Sequence, residues 1–150
     1  MNIKVRLGKP SDREEVMRIF KCQYVECPYF DVINRHFDGD KNIEILIAYD
    51  EETGNVLGVG INEYSKYKDT DKIKCHGMIG VVKTDFRRMG VLKEIRKMYM
   101  KQIKKKNVYY FYRKHQKDAP HINLDKERAA GFTVKDCGNN ENILEMFLGE

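Results

Sequence analysis

No stretch of this 150-residue sequence approaches the length of unbroken apolar residues that a membrane span needs. The opening Met1-Asn2-Ile3-Lys4-Val5-Arg6-Leu7 interleaves charged with apolar side chains, where a secretory leader requires a continuous apolar core. The expected location is therefore the cytoplasm. Cysteine is sparse: Cys22, Cys27, Cys75 and Cys137 show neither C-x-x-C spacing nor paired histidines, which argues for reduced thiols over a disulfide framework or a zinc centre. His36, His76, His115 and His121 are equally scattered, so no metal site is expected. Internal repeats and low-complexity segments are also missing. What is present is 41% hydrophobic and 11% aromatic content, sufficient for the core of one ordinary domain spanning 1–150.

The formal net charge of +5 is unevenly distributed. Between residues 83 and 106 lie Lys83, Arg87, Arg88, Lys93, Arg96, Lys97, Lys101, Lys104, Lys105 and Lys106, against only Asp85 and Glu94. Such a cluster favours an anionic ligand. Residues 97–106 read first as a solvated helix face. A phosphate-rich small ligand and, as the least favoured partner, nucleic acid are the alternatives.

Residues 3–7 alternate as a half-buried strand does, and Pro10-Ser11-Asp12 followed by Glu14 and Glu15 opens a helix with the stripe Val16, Ile19, Phe20 and Tyr24, ended by Pro28. A short helical or irregular piece covers 30–37. The runs 43–49 and 56–64, joined by the turn-rich 50–55, form an antiparallel hairpin, and 73–82 is another strand. Val91, Leu92, Ile95, Met98, Tyr99 and Ile103 recur at helical spacing. The aromatic run 108–112 then makes a parallel crossover with the strand before the helix. A short helix around 124–130 and a closing hairpin, 132–136 with 142–148 around Gly138-Asn139-Asn140-Glu141, complete the order. A doubly wound nucleotide fold is disfavoured, because Gly58-Val59-Gly60 lies inside a strand with no helix after it.

The most informative segment is Val81-Val82-Lys83-Thr84-Asp85-Phe86-Arg87-Arg88-Met89-Gly90-Val91-Leu92, an apolar strand running into two arginines, a glycine and a helix. Free N–H groups at a helix start carry partial positive charge, glycine lets a ligand approach the main chain, and arginine adds full charge, which together suit phosphate. The segment resembles the acyl-coenzyme A loop of the GNAT superfamily of N-acetyltransferases, V-x-P-x-Y-[RQ]-x-x-G-x-[GA]. Val82, Asp85, Phe86, Arg87 and Gly90 fall in place or nearly so, with Thr84 for the proline and Leu92 for the last small residue. The order of elements is similar to that family across nearly the whole chain.

The resemblance implies an α+β fold: a central mixed, mostly antiparallel sheet of about seven strands with about four helices, splayed at strands 4 and 5. It implies acetyl-CoA as cosubstrate and an N-acetyltransferase that passes the acetyl group to a primary amine by direct attack in a ternary complex. Carried over residue by residue, Val81 and Val82 hold the pantetheine arm, and Arg87, Arg88, Met89, Gly90, Val91 and Leu92 the phosphates. Asn123 stands one turn from the place of the family's loop asparagine, which falls on Pro120. For the base, His76 occupies the fourth-strand position of a catalytic glutamate in the histone-acetylating branch, with Glu63 and Tyr64 as rivals. The family's tyrosine acid falls on Glu127, leaving a thiol that departs unaided or a substitute among Tyr109, Tyr110 and Tyr112. Acceptor contacts are expected from Tyr24, Tyr29, Phe30, His36 and 65–72. The alternatives are a catalytically impaired coenzyme A sensor, kept open by Leu92, Pro120 and Glu127, and a basic nucleic-acid-binding protein. A homodimer is left open.

Overall fold

The computed structural model describes residues 1–23, 27–119 and 122–149. Tyr24, Pro120 and His121 lie outside the described residues. Among the described residues seven strands and four helices follow in the order β1 (Ile3–Leu7), α1 (Arg13–Gln23), α2 (Phe30–Phe37), β2 (Ile43–Asp50), β3 (Val56–Lys66), β4 (Ile73–Val82), α3 (Val91–Lys105), β5 (Val108–Gln116), α4 (Leu124–Ala129), β6 (Thr133–Gly138) and β7 (Glu141–Phe147). Short 3-10 turns occupy Pro10–Asp12 and Thr84–Phe86. One sheet takes the strands in the order β1-β2-β3-β4-β5-β7-β6. The β4–β5 pair is parallel and the pairs β1–β2, β2–β3, β5–β7 and β6–β7 are antiparallel. This is the mixed α+β architecture expected from the sequence.

Contacts divide the chain into two units, Met1–Glu63 with Ile79–Gln102, and Tyr64–Met78 with Ile103–Glu150. In the first, β2 is buried from Ile43 to Ala48, matching its nearly continuous apolar run. Val16, Ile19 and Phe20 supply the buried stripe of α1, and Val91, Ile95 and Tyr99 that of α3. The paired glycines of β3 have a packing role: an added Cβ would lie 2.7 Å from Ile95 Cγ2 at Gly60 and 2.8 Å from the Val81 carbonyl oxygen at Gly58. They let α3 seat on the sheet. Also buried in this unit, and unmarked by any periodicity, Gln102 Nε2 donates to Glu44 Oε2 at 2.9 Å.

In the second unit β5 runs four residues beyond its aromatic stretch, because Arg113 to Gln116 pair with Leu144 to Glu141 of β7. Asn139 and Asn140, both left-handed (φ 52° and 59°), make the two-residue turn between β6 and β7. Phe111 and Leu144 are fully buried. The Arg113 guanidinium bonds the Glu127 carboxylate at 2.5 Å, with both side chains buried. The parallel ladder couples Ile73–His76 to Val108–Tyr112 and stops at His76 and Tyr112, although both strands continue. The two strands part there, as the resemblance implies.

Candidate functional site

In the first unit, the end of β4 and the start of α3 form a corner built almost wholly from main chain. The Lys83 N–H donates to the Leu57 carbonyl at 2.9 Å, tying the end of β4 to β3. The turn Thr84–Phe86 follows, and then two of three residues are left-handed: Arg88 at φ 65° and Gly90 at φ 86°. A left-handed arginine is uncommon, so the backbone shape here is held by its surroundings. The Glu94 N–H bonds the Gly90 carbonyl at 3.1 Å, the first bond of α3. The N–H groups of Val91, Leu92 and Lys93 therefore precede any helical partner. A Cβ added to Gly90 would have nothing within 4 Å, so this corner is open.

The side chains around the corner divide their work. Arg87 folds back, with Nη2 donating to Gln23 Oε1 at 2.6 Å and Nε to the Val82 carbonyl at 3.4 Å. Arg88 is exposed and makes no ion pair among the described residues. Val81 is buried, Val82 half-buried and Met89 half exposed at 53%. Leu92, which stands where the family pattern has a small residue, turns its side chain onto β4: Cδ1 sits 2.6 Å from the position of an added Gly80 Cβ. The missing Cβ on the strand thus accommodates the extra bulk on the helix. Beside Gln23 a cavity of about 270 Å³ is lined by Glu15, Arg18, Ile19, Cys22, Lys83 and Thr84, with Lys83 Nζ 2.7 Å from Glu15 Oε1.

The candidate bases occupy different settings. Glu63, in the first unit, is half-buried with its carboxylate 3.6 Å from Arg35 Nη1. Tyr64, in the second, is 7% exposed, and the Lys106 ammonium stands 4.6 Å from its ring centroid. His76 stacks on Tyr112, with ring centroids 4.4 Å apart and planes at 6°. Burial, followed by the charges of Lys114 and Lys74, lowers its pKa to about 4. The imidazole is therefore neutral at physiological pH, held by a tyrosine that sequence spacing alone did not join to it.

Of the residues weighed as thiol acid, Glu127 is occupied by Arg113. The Tyr110 hydroxyl donates to Glu145 Oε2 at 2.5 Å, and burial together with that bond raises its pKa. Tyr109 packs against Phe147, with Lys72 Nζ 4.0 Å from its centroid. Asn123 caps α4, its Oδ1 accepting from the Lys126 N–H at 3.1 Å. Among the described residues no group of three or more His, Cys, Asp or Glu is placed to hold a metal ion. Among the described residues no helix is long and apolar enough to cross a membrane.

No protein-family model matches the sequence, and no curated protein matches it. Solved structures do match. A chain of the NatC complex, bound to Gag peptide and CoA, is 13% identical over 99% of each chain with a TM-score of 0.76. NAA60 of Arabidopsis thaliana in complex with acetyl-CoA is 15% identical over 98% of this chain and 99% of its own, also at 0.76. The PaiA N-acetyltransferase of Thermoplasma acidophilum in complex with coenzyme A is 14% identical over 99% of this chain and 100% of its own, at 0.69. The chain thus has the fold of the GNAT N-acetyltransferases.

Proposed function

We propose that this protein is an acetyl-CoA-dependent N-acetyltransferase acting on a primary amine by direct transfer. The observation that carries the reading is the β4–α3 corner. Two left-handed residues lead into a helix whose first N–H groups, those of Val91, Leu92 and Lys93, have no helical partner, and an added Cβ at Gly90 meets nothing within 4 Å. Those groups fit a diphosphate, with Arg88 adding a full charge and the backbone of Val81 and Val82 serving the pantetheine arm. Acetyl-CoA, when bound, supplies a thioester carbonyl open to attack and a thiol that leaves readily, its reference pKa being about 8.5.

The remaining requirement is an unprotonated amine. A lysine-like ammonium has a reference pKa of about 10.4, and it loses a proton more easily in a positive potential. Lys74 and Lys114 supply such a potential at His76. Burial and then the charges of Lys114 and Lys74 keep the imidazole neutral. Those charges also favour the neutral form of an amine beside it, so that the proton passes to water while the imidazole lone pair orients the amine by accepting a hydrogen bond. Cys75, although next to His76 in sequence, is fully buried on the opposite side of β4, which supports transfer without an acyl-enzyme. The engagement of Glu127 with Arg113 favours a second reading, a coenzyme A-binding sensor that lacks a dedicated acid.

Two measurements separate these readings. Acetyl-CoA at a hundredfold excess over Kd should stabilise the folded chain by roughly 2.7 kcal/mol, read as a thermal shift. Thiol release over a panel of amines should then show turnover, and His76→Ala should lower it at neutral pH without weakening acetyl-CoA binding. A thermal shift without turnover on any amine selects the sensor, and no shift rejects both.

A further inference from the structure

We propose that the second unit carries a binding site for a nucleotide, meaning a planar base joined to phosphate, in the cavity lined by Tyr67 on the β4–β5–β7 face. The cavity measures about 350 Å³, within the range of small-ligand sites. Its floor is set by register: Lys74 of β4 stands beside Tyr110 of β5, and Tyr110 opposite Phe147 of β7. Tyr67 comes from the β3–β4 connection, held by its N–H donating to the Lys72 carbonyl at 2.8 Å. Its ring lies 5.3 Å from Tyr110 and 6.1 Å from Phe147, nearly perpendicular to the latter. Phe147 is 52% exposed, a large ring left in water at the end of a strand.

Charge selects the ligand class. The one carboxylate in the wall, Glu145, accepts from the Tyr110 hydroxyl at 2.5 Å and from Lys135 Nζ at 2.7 Å, so its charge is offset in place. Lys68 and Lys74 also line the cavity and make no ion pair among the described residues. The lowered pKa of His76, caused in part by Lys74 and Lys114, reports the same positive potential on this face. An apolar molecule gains nothing from the lysines, and a ringless anion leaves the aromatic faces wet. A base stacked on the rings with its phosphate toward the lysines uses both features. The lining residues include none of the β4–α3 corner or of the basic face of α3, and Tyr112, which also lines the cavity, is the ring stacked on His76.

The test uses the full chain without acetyl-CoA and fluorescein-labelled hexauridylate, read by anisotropy across a salt series. The wild-type chain should bind, and Phe147→Ala and Tyr67→Leu should each weaken binding about tenfold. Lys74→Gln should lower the log–log salt slope by about 0.7. Gly90→Glu should leave binding unchanged. Displacement by UMP assigns a free nucleotide as the occupant, and displacement by longer oligomers alone assigns a single strand. The proposal is overturned if the wild type does not bind at low salt, if inorganic tripolyphosphate displaces the probe as well as a nucleotide does, or if Gly90→Glu loses as much as Phe147→Ala. Thermal melts of the exposed Phe147→Ala variant confirm that the folded chain is being compared.

Discussion

Replacing His76 by phenylalanine, which keeps a ring for Tyr112 to stack on, should remove a pH dependence from folding stability. In the folded chain the imidazole pKa is lowered from 6.5 to about 4, mainly by burial and then by Lys114 and Lys74. Its folded value lies below its unfolded one, so the unfolded chain binds the proton preferentially. Stability is therefore full above about pH 6.5 and is lost as pH falls toward about 4. Each pKa unit corresponds to 1.36 kcal/mol, so the gap is worth up to roughly 3 kcal/mol, and about 2 after allowance for partial exposure. The carboxylates with lowered pKa values, Asp12, Asp40, Asp50, Asp136 and Glu145, titrate in both proteins and cancel in the comparison. Urea denaturation at intervals from pH 7.5 to 4 should give wild-type and variant curves that converge or cross as the pH drops, the wild type losing more. Parallel curves would show that the ring is hydrated and ordinary, and the argument for a neutral imidazole would fail.

Gly90→Glu should cut acetyl-CoA affinity at least tenfold by placing a carboxylate where a diphosphate is expected. Gly90→Ala, which carries the same backbone strain of about 1–3 kcal/mol without the charge, should bind far better in the same titration. In the second unit, Arg113→Met should lower stability by about 3 kcal/mol because it removes the guanidinium that the buried Glu127 carboxylate pairs with. Adding Glu127→Leu should recover most of that loss in urea melts, whereas additive losses would show that the pair is not coupled.

Much of the architecture was legible along the chain because its signals are local. The stripe Val91, Ile95, Tyr99 and Ile103 marks a helix whatever lies opposite, and the isoleucine-rich, mostly apolar run at 43–48 reads as a buried strand. The arginines and glycine after β4 were equally legible, since a helix start carries its unpaired N–H groups by its own geometry. Pairings across strands and between distant segments were not. Nothing in spacing joins Arg113 to Glu127, Gln102 to Glu44, Leu92 to Gly80, or His76 to Tyr112. Nor did the aromatic run at 108–112 announce that β5 continues through charged residues to Gln116, which its ladder with β7 decides. Sequence alone marked most of the helices and strands and the helix start whose free amides are proposed to meet an anion. Tertiary structure decided which polar groups are partnered, because burial and proximity set hydrogen bonds and pKa values, and both depend on residues far apart in the chain.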